Sequence, residues 1–223
     1  MSTIQKRYEG FLETENLWND DALMGLSQFN LSAKKNHFKE EINEKLRLGQ
    51  YVEQFVFYQL EQQESIKILD KNIQIQQGKQ TLGELDCLFK REDSLYHLEI
   101  IYKFYLYNNN IGSSEIEHFI GPNRKDALIE KLIKLKEKQL PMLHHRETKN
   151  YLNTLNTLSS DYIQKVLFKA QLFLPYNAKI KLNILNSDSI AGYYLHFKKI
   201  EIFKECKFFI PNKKDWLVSP FNN

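Results

Sequence analysis

Cysteine is nearly absent. Cys87 and Cys206 are the only two in 223 residues, with no CxxC and no Cys/His zinc spacing, so neither a disulfide framework nor a structural zinc holds this chain together. Long apolar runs are missing as well. None reaches the roughly 18 residues of a membrane span, and the N-terminal MSTIQKRYEG lacks a signal-peptide core, which places the protein in the cytoplasm with no membrane partner. There is no glycine-rich phosphate loop, GxGxxG, GxSxG or HExxH. Those absences remove the common nucleotide-cofactor, serine-hydrolase and zinc-protease classes. Repeats, low-complexity tracts and linkers are missing too, and the chain reads as one domain.

A chain of 223 residues is long enough to bury about 70% of its unfolded surface in one sizeable core. Its 12 Tyr and 15 Phe supply large core pieces. The net charge of +3 hides a division between the halves. Residues 1–111 carry 13 basic and 17 acidic side chains, a net −4, whereas 112–223 carry 18 and 11, a net +7. A basic half following an acidic stretch suits an anionic polymer laid beside a cation site, and equally suits a solvated lysine-rich surface.

The acidic stretch is Thr81 to Lys103, TLGELDCLFKREDSLYHLEIIYK. Leu85, Cys87 and Phe89 alternate with Glu84, Asp86 and Leu88, while Tyr96, Leu98, Ile100 and Tyr102 alternate with His97, Glu99, Ile101 and Lys103. Both runs have the period of two expected of strands, and Arg91-Glu92-Asp93-Ser94 is the turn between them. If Lys90 pairs with Leu95, Asp86 falls opposite Glu99 and Glu84 opposite Ile101. Two carboxylates at roughly 5 Å on one sheet face repel unless a cation or a shared proton stands between them. Cys87, on the other face, reads as a small buried hydrophobe.

Around this hairpin, residues 3–31 read as a helical packing extension anchored by Tyr8, Phe11, Leu17 and Trp18. The apolar spacing predicts a helix from about Phe38 to Gln62, in which a mid-helix Gly49 calls for a close backbone approach. Glu53, one turn beyond it, joins the carboxylates if the helix packs beside the hairpin and is otherwise a surface glutamate. Short strands are predicted at 65–69 and 72–77. A second helix is predicted from an Asn123 cap to Pro141. Asn123, Arg124 and Lys125 at its first turn, and the stripe of Lys131, Lys134 and Lys138, are candidate phosphate contacts. Residues 151–173 read as one or two helices, and 178 onward as further strands or a short helix.

The order of a helix with Glu53, a strand with Asp86, a turn, a strand with Glu99 and a lysine, then a helix, resembles the core of the PD-(D/E)XK nuclease superfamily. More narrowly, TLGELD, HLEIIYKFYL, GPNRKDALIEKLIKLKEKQLP and KKDWL resemble a bacterial domain-of-unknown-function family usually grouped with those nucleases, from about Tyr8 onward. The resemblance implies an α/β fold, with a mixed central sheet flanked by helices as in restriction endonucleases. It divides the chain into a helical extension over 1–35, a core over about 38–140 and C-terminal helices and strands over 141–223. It further implies a nuclease in which Asp86 and Glu99 hold Mg2+ (or Mn2+), Glu53 supports them and Lys103 orients the attacking water. Glu84 and His97 are possible supporting residues. Nucleic acid is the implied partner, with no nucleotide cofactor. The superfamily usually places its lysine two residues after the acid, where this chain has Ile101; Lys103 stands about 6.6 Å further along. That departure leaves a second reading, a catalytically inactive nucleic-acid- or protein-binding module on the same fold.

Overall fold

The computed structural model describes residues 2–19 and 22–218. Helix α1 (Thr3–Glu13) starts on Ser2, whose hydroxyl accepts the Gln5 N–H at 3.3 Å. A two-residue hairpin of β1 (Ala22–Leu23) and β2 (Leu26–Ser27) follows, turning on Gly25 at φ +83°. Helix α2 spans Leu48–Glu61 and is ten residues shorter at its start than the apolar spacing predicts. Phe38 is buried, yet it is held in non-helical chain by side chains from elsewhere: its N–H donates to Gln5 Oε1 at 2.8 Å, and Tyr58 Oη donates to the neighbouring His37 carbonyl at 2.8 Å. Tertiary contacts thus override a helical pattern. Gly49 lies in the first turn of α2 with open space where a Cβ would stand, so no close approach explains it.

The fold is mixed α/β, with a six-stranded mixed sheet between helices. Its strands are β3 (Ile66–Gln77), β4 (Gln80–Arg91), β5 (Ser94–Tyr107), β6 (Phe119–Ile120), β7 (Tyr162–Pro175) and β8 (Ile190–Tyr194). The order is β3-β4-β5-β7-β8, with β6 also paired to β5; β3, β4 and β5 are antiparallel, whereas β5-β7 and β7-β8 are parallel. The β4–β5 hairpin has the register that the spacing predicts, with Lys90 opposite Leu95 and Leu88 opposite His97. The ladder stops at Cys87 and Leu98, one pair short of Asp86 and Glu99. From there β4 runs on with β3 while β5 runs on with β7, and the two strands part.

The largest departure from the sequence reading is β7, in a stretch whose periodicity suggests helix. Helix α4 spans only Arg146–Thr154, and Tyr162–Pro175 forms the strand between β5 and β8. Val166, Leu167, Phe168, Ala170 and Leu172 are all at most 1% exposed, so both faces of the strand are covered. A strand covered on both faces has no polar alternation to announce it, and a long apolar run then resembles a buried helix. Phe168→Ala should lower unfolding free energy by about 3–5 kcal/mol in urea titration, since it empties a fully covered position.

On one face of the sheet, α1 and α2 pack Tyr8, Phe11, Phe55 and Val56 against Cys87, Leu98, Ile100 and Tyr102. On the other, α3 (Leu128–Lys134) packs Leu128 and Leu132 against Ile101, Tyr105 and Phe168. Helix α3 begins four residues later than the Asn123 cap predicts, on Ala127. Arg124 sits at φ +55°, and Gly121 N–H bonds the Asp126 carbonyl at 2.8 Å, so residues 121–126 close a tight loop first. Beyond Lys134 the helix widens to a π turn over Leu135–Gln139 and then tightens to a 3-10 turn over Leu140–His144. Pro141 in that last turn has no N–H to donate back and its ring crowds the preceding turn, a sufficient cause for the change of pitch. The helical run therefore passes through Pro141 instead of stopping there.

Candidate active site

The parting of β4 from β5 leaves unpaired backbone beside Asp86. Its carboxylate supplies the missing partner: Oδ2 accepts the Ile100 N–H at 2.7 Å. Glu99, the next residue toward the hairpin turn, is 0% exposed. A fully buried carboxylate must be hydrogen-bonded. Glu99 Oε1 lies 3.1 Å from His97 Nε2, and Oε2 accepts from Gln139 Nε2 at 2.6 Å. His97, equally buried, is 3.0 Å from the Gln164 amide at Nδ1. Gln164 Nε2 donates there and to the Leu140 carbonyl at 2.6 Å, so the imidazole proton sits on Nε2 and points at Glu99. Gln139 also takes the Lys131 ammonium on its Oε1 at 2.6 Å. One chain of hydrogen bonds therefore runs from α3 through the π turn to β5 and β7.

Electrostatics tie Glu53 to the same place. Its carboxyl is raised to about 7, first by burial and then by the charges of Glu84 and Glu99. Asp86 is pushed well above the carboxylate range by burial and by Glu99, with Glu53 adding to the rise and the Ile100 amide and Lys131 opposing it. Lys131 is brought down to about 8 by burial, against the pull of Glu99 and Asp86; Lys134 and Lys103 push it down further. These are the mutual effects expected of crowded acids around too little positive charge.

Hydrogen bonds thus join His97, Glu99 and, through Gln139, Lys131, while Glu53 and Asp86 lie within range of the Glu99 charge. Glu84 lies further along the diverging part of β4, paired with Gln74 of β3 and not opposite Ile101, close enough for its charge to reach Glu53. Lys103 is placed elsewhere, its Nζ 3.1 Å from Asp126 Oδ2 in the loop before α3. Asn123, Arg124 and Lys125 are exposed in that loop, and Lys134 and Lys138 are exposed beyond it, whereas Lys131 is half-buried at the carboxylates. The sequence reading does not single out Gln139 or Gln164. Gln139 falls on the helix side that carries Leu128, Leu132 and Leu135, where a polar residue among leucines is a usable signal; Gln164 lies in the strand that resembles a helix.

The donor set is oxygen from carboxylates, the chemistry that hard Mg2+ or Mn2+ takes, and burial together with the neighbouring acids disfavours the charged form of Glu53 and Asp86. Among the described residues, no group of three or more His, Cys, Asp or Glu side chains is placed so that it could hold a metal ion. His97 and Gln139 hold both oxygens of Glu99 in the present arrangement.

A family model described as a domain of unknown function, DUF1853, matches residues 13–222. The chain belongs to that family. No curated protein and no solved structure matches it. The DUF1853 match covers all the residues of the site, Glu53 to Gln164, together with every strand of the large sheet. Among the described residues, no helix of this DUF1853 member is long and apolar enough to cross a membrane.

Proposed function

We propose that this DUF1853 member is a divalent-metal-dependent nuclease of the cytoplasm that hydrolyses phosphodiester bonds in DNA or RNA. The observation that supports the reading is the buried Asp86 and Glu99 beside the parting of β4 and β5, with Lys131 joined to Glu99 through Gln139 and with Glu53 within reach of the Glu99 charge. Asp86 and Glu99 would hold Mg2+ or Mn2+, with Glu53 supporting them from α2. The bound ion would supply water activation and neutralise charge developing on the phosphate oxygens. His97 and Gln139 fix the direction of the Glu99 oxygens, and Gln164 fixes His97. Lys131, the lysine whose charge is felt by both Asp86 and Glu99, takes the charge-stabilising role in preference to Lys103, which is paired to Asp126. The exposed Arg124, Lys125, Lys134 and Lys138 supply phosphate contacts around it.

The test is incubation of the purified protein with single- and double-stranded DNA and RNA, in Mg2+, Mn2+ or EDTA. The expected result is cleavage in metal and none in EDTA. Lys131→Met should cut the rate by about 100-fold or more, as loss of a preorganised charge donor does, while the metal-induced rise in melting temperature persists. Failure to cleave any of these substrates in either metal would sink the proposal. Binding without cleavage would instead favour the inactive binding module, the reading to which the Lys103–Asp126 pair and the engaged oxygens of Glu99 point.

A further inference from the structure

From the end of β8 onward the chain carries aromatic rings that the core does not use. Tyr193 is 62% exposed, Phe197 81%, Phe208 63% and Phe209 84%. Lysines alternate with them: residues 197–214 hold six against two glutamates. Lys198, Lys199, Lys204 and Lys207 are exposed, with no ion-pair partner among the described residues. A hydrogen bond ties this segment to the far end of β5, the strand that carries Glu99. Tyr194 Oη donates to the Tyr107 carbonyl at the end of β5, and Arg124 opposes the rise that burial imposes on the Tyr194 phenol, which sets the loop 121–126 beside the end of β8. Asp126 of that loop holds Lys103, whose charge reaches Lys131.

We infer that the segment from Tyr193 to Lys213, with Arg124 and Lys125, is a stacking surface for single-stranded nucleic acid leading to the carboxylate site; this deepens the nuclease reading by naming the strand state of its substrate and rests on that reading. Flat exposed rings interleaved with ammonium groups match the two things a single strand offers, unpaired base faces and phosphates. A duplex hides its base faces and would leave the rings idle. A membrane-surface element would present one continuous apolar helical face, whereas Phe197–Phe203 is a single short 3-10 helix followed by chain without helix or strand up to Asp215. The core of a protein interface is depleted in lysine, and here lysine alternates with the rings.

The experiment uses the full chain in EDTA, so that binding is read without hydrolysis. A fluorescein-labelled oligo-dT of about 20 nucleotides, its duplex with oligo-dA, and vesicles of phosphatidylcholine with phosphatidylserine are the probes. The single strand should bind about tenfold more tightly than the duplex. The double substitution Phe197→Ala, Phe209→Ala should weaken it by about tenfold or more with an unchanged melting temperature, because both rings stand outside the core. Lys198→Ala with Lys199→Ala should flatten the dependence on salt. Equal binding of duplex and single strand, unaffected by loss of the rings, overturns the inference, as does binding of vesicles in place of the oligonucleotide. The two readings fail separately. Metal-dependent cleavage with ring-independent binding discards only the surface, and ring-dependent binding without any cleavage discards only the nuclease.

Discussion

Asp86→Asn should leave the metal-free protein at least as stable as the parent and abolish metal-dependent cleavage. The asparagine oxygen can still accept the Ile100 N–H, so the backbone at the parting strands keeps its partner. What is lost is a carboxyl whose negative charge is opposed first by burial and then by Glu99 and Glu53. Removing it relieves repulsion in a buried site and raises or preserves the melting temperature in EDTA. The same charge is the one a cation needs. Loss of several kcal/mol of charge stabilisation corresponds to about a 1,000-fold fall in rate, and the metal-induced rise in melting temperature should vanish with it. A purely structural carboxylate behaves in the opposite way: Asp86→Asn would lower the melting temperature, and added metal would change neither protein.

Stability of the metal-free protein should fall as pH rises from about 4 to about 7. Glu53 has a folded pKa of about 7 against an unfolded value of about 4.3, so between those limits the folded chain binds more protons than the unfolded one. Stability from this group is therefore complete below about pH 4 and is lost through the folded pKa. The expected loss is roughly 2–4 kcal/mol, and Asp86, raised for the same reasons, adds in the same direction. Lys131 is displaced downward, so the unfolded chain binds its proton more tightly between about pH 8 and pH 10, and stability should recover there. Denaturant titrations across that range check the curve, and Glu53→Gln should flatten its acid limb. Mg2+ should stabilise more at alkaline than at acid pH, because protons and metal compete for the same oxygens. A stability that climbs steadily from acid to neutral pH would contradict the assignment of uncompensated charge to this cluster.

The hairpin is the most legible part of the chain, because apolar residues alternate with Glu84 and Asp86 in one strand and with His97, Glu99 and Lys103 in the other, so that a period of two is visible. Register follows from the short turn, and Cys87 lies in the core as its position in the alternation requires. Only the last step of the count misleads: the strands part before Asp86 and Glu99 meet, so the acids are arranged by a backbone bond to Ile100 and by partners on other elements. Those partners are long-range. Gln139 reaches Glu99 from the π turn ahead of Pro141, and Gln164 reaches His97 from a strand whose covered faces hide its period. Lys131 and Lys103 illustrate the same limit. Both are visible as basic residues near the motif, but only packing separates the one that faces the carboxylates from the one that pairs with Asp126. Start points of helices α2 and α3 were lost where Gln5 and a left-handed Arg124 hold the chain out of helical geometry.

The central claim is that the crowded carboxylates exist to hold a cation. Calorimetric titration of Mn2+ into the metal-free protein at neutral pH tests it most directly. The account predicts saturable binding with release of protons, since Glu53 and Asp86 are partly protonated beforehand, and loss of that binding in Asp86→Asn. Absence of binding, or binding that Asp86→Asn leaves intact, would contradict it.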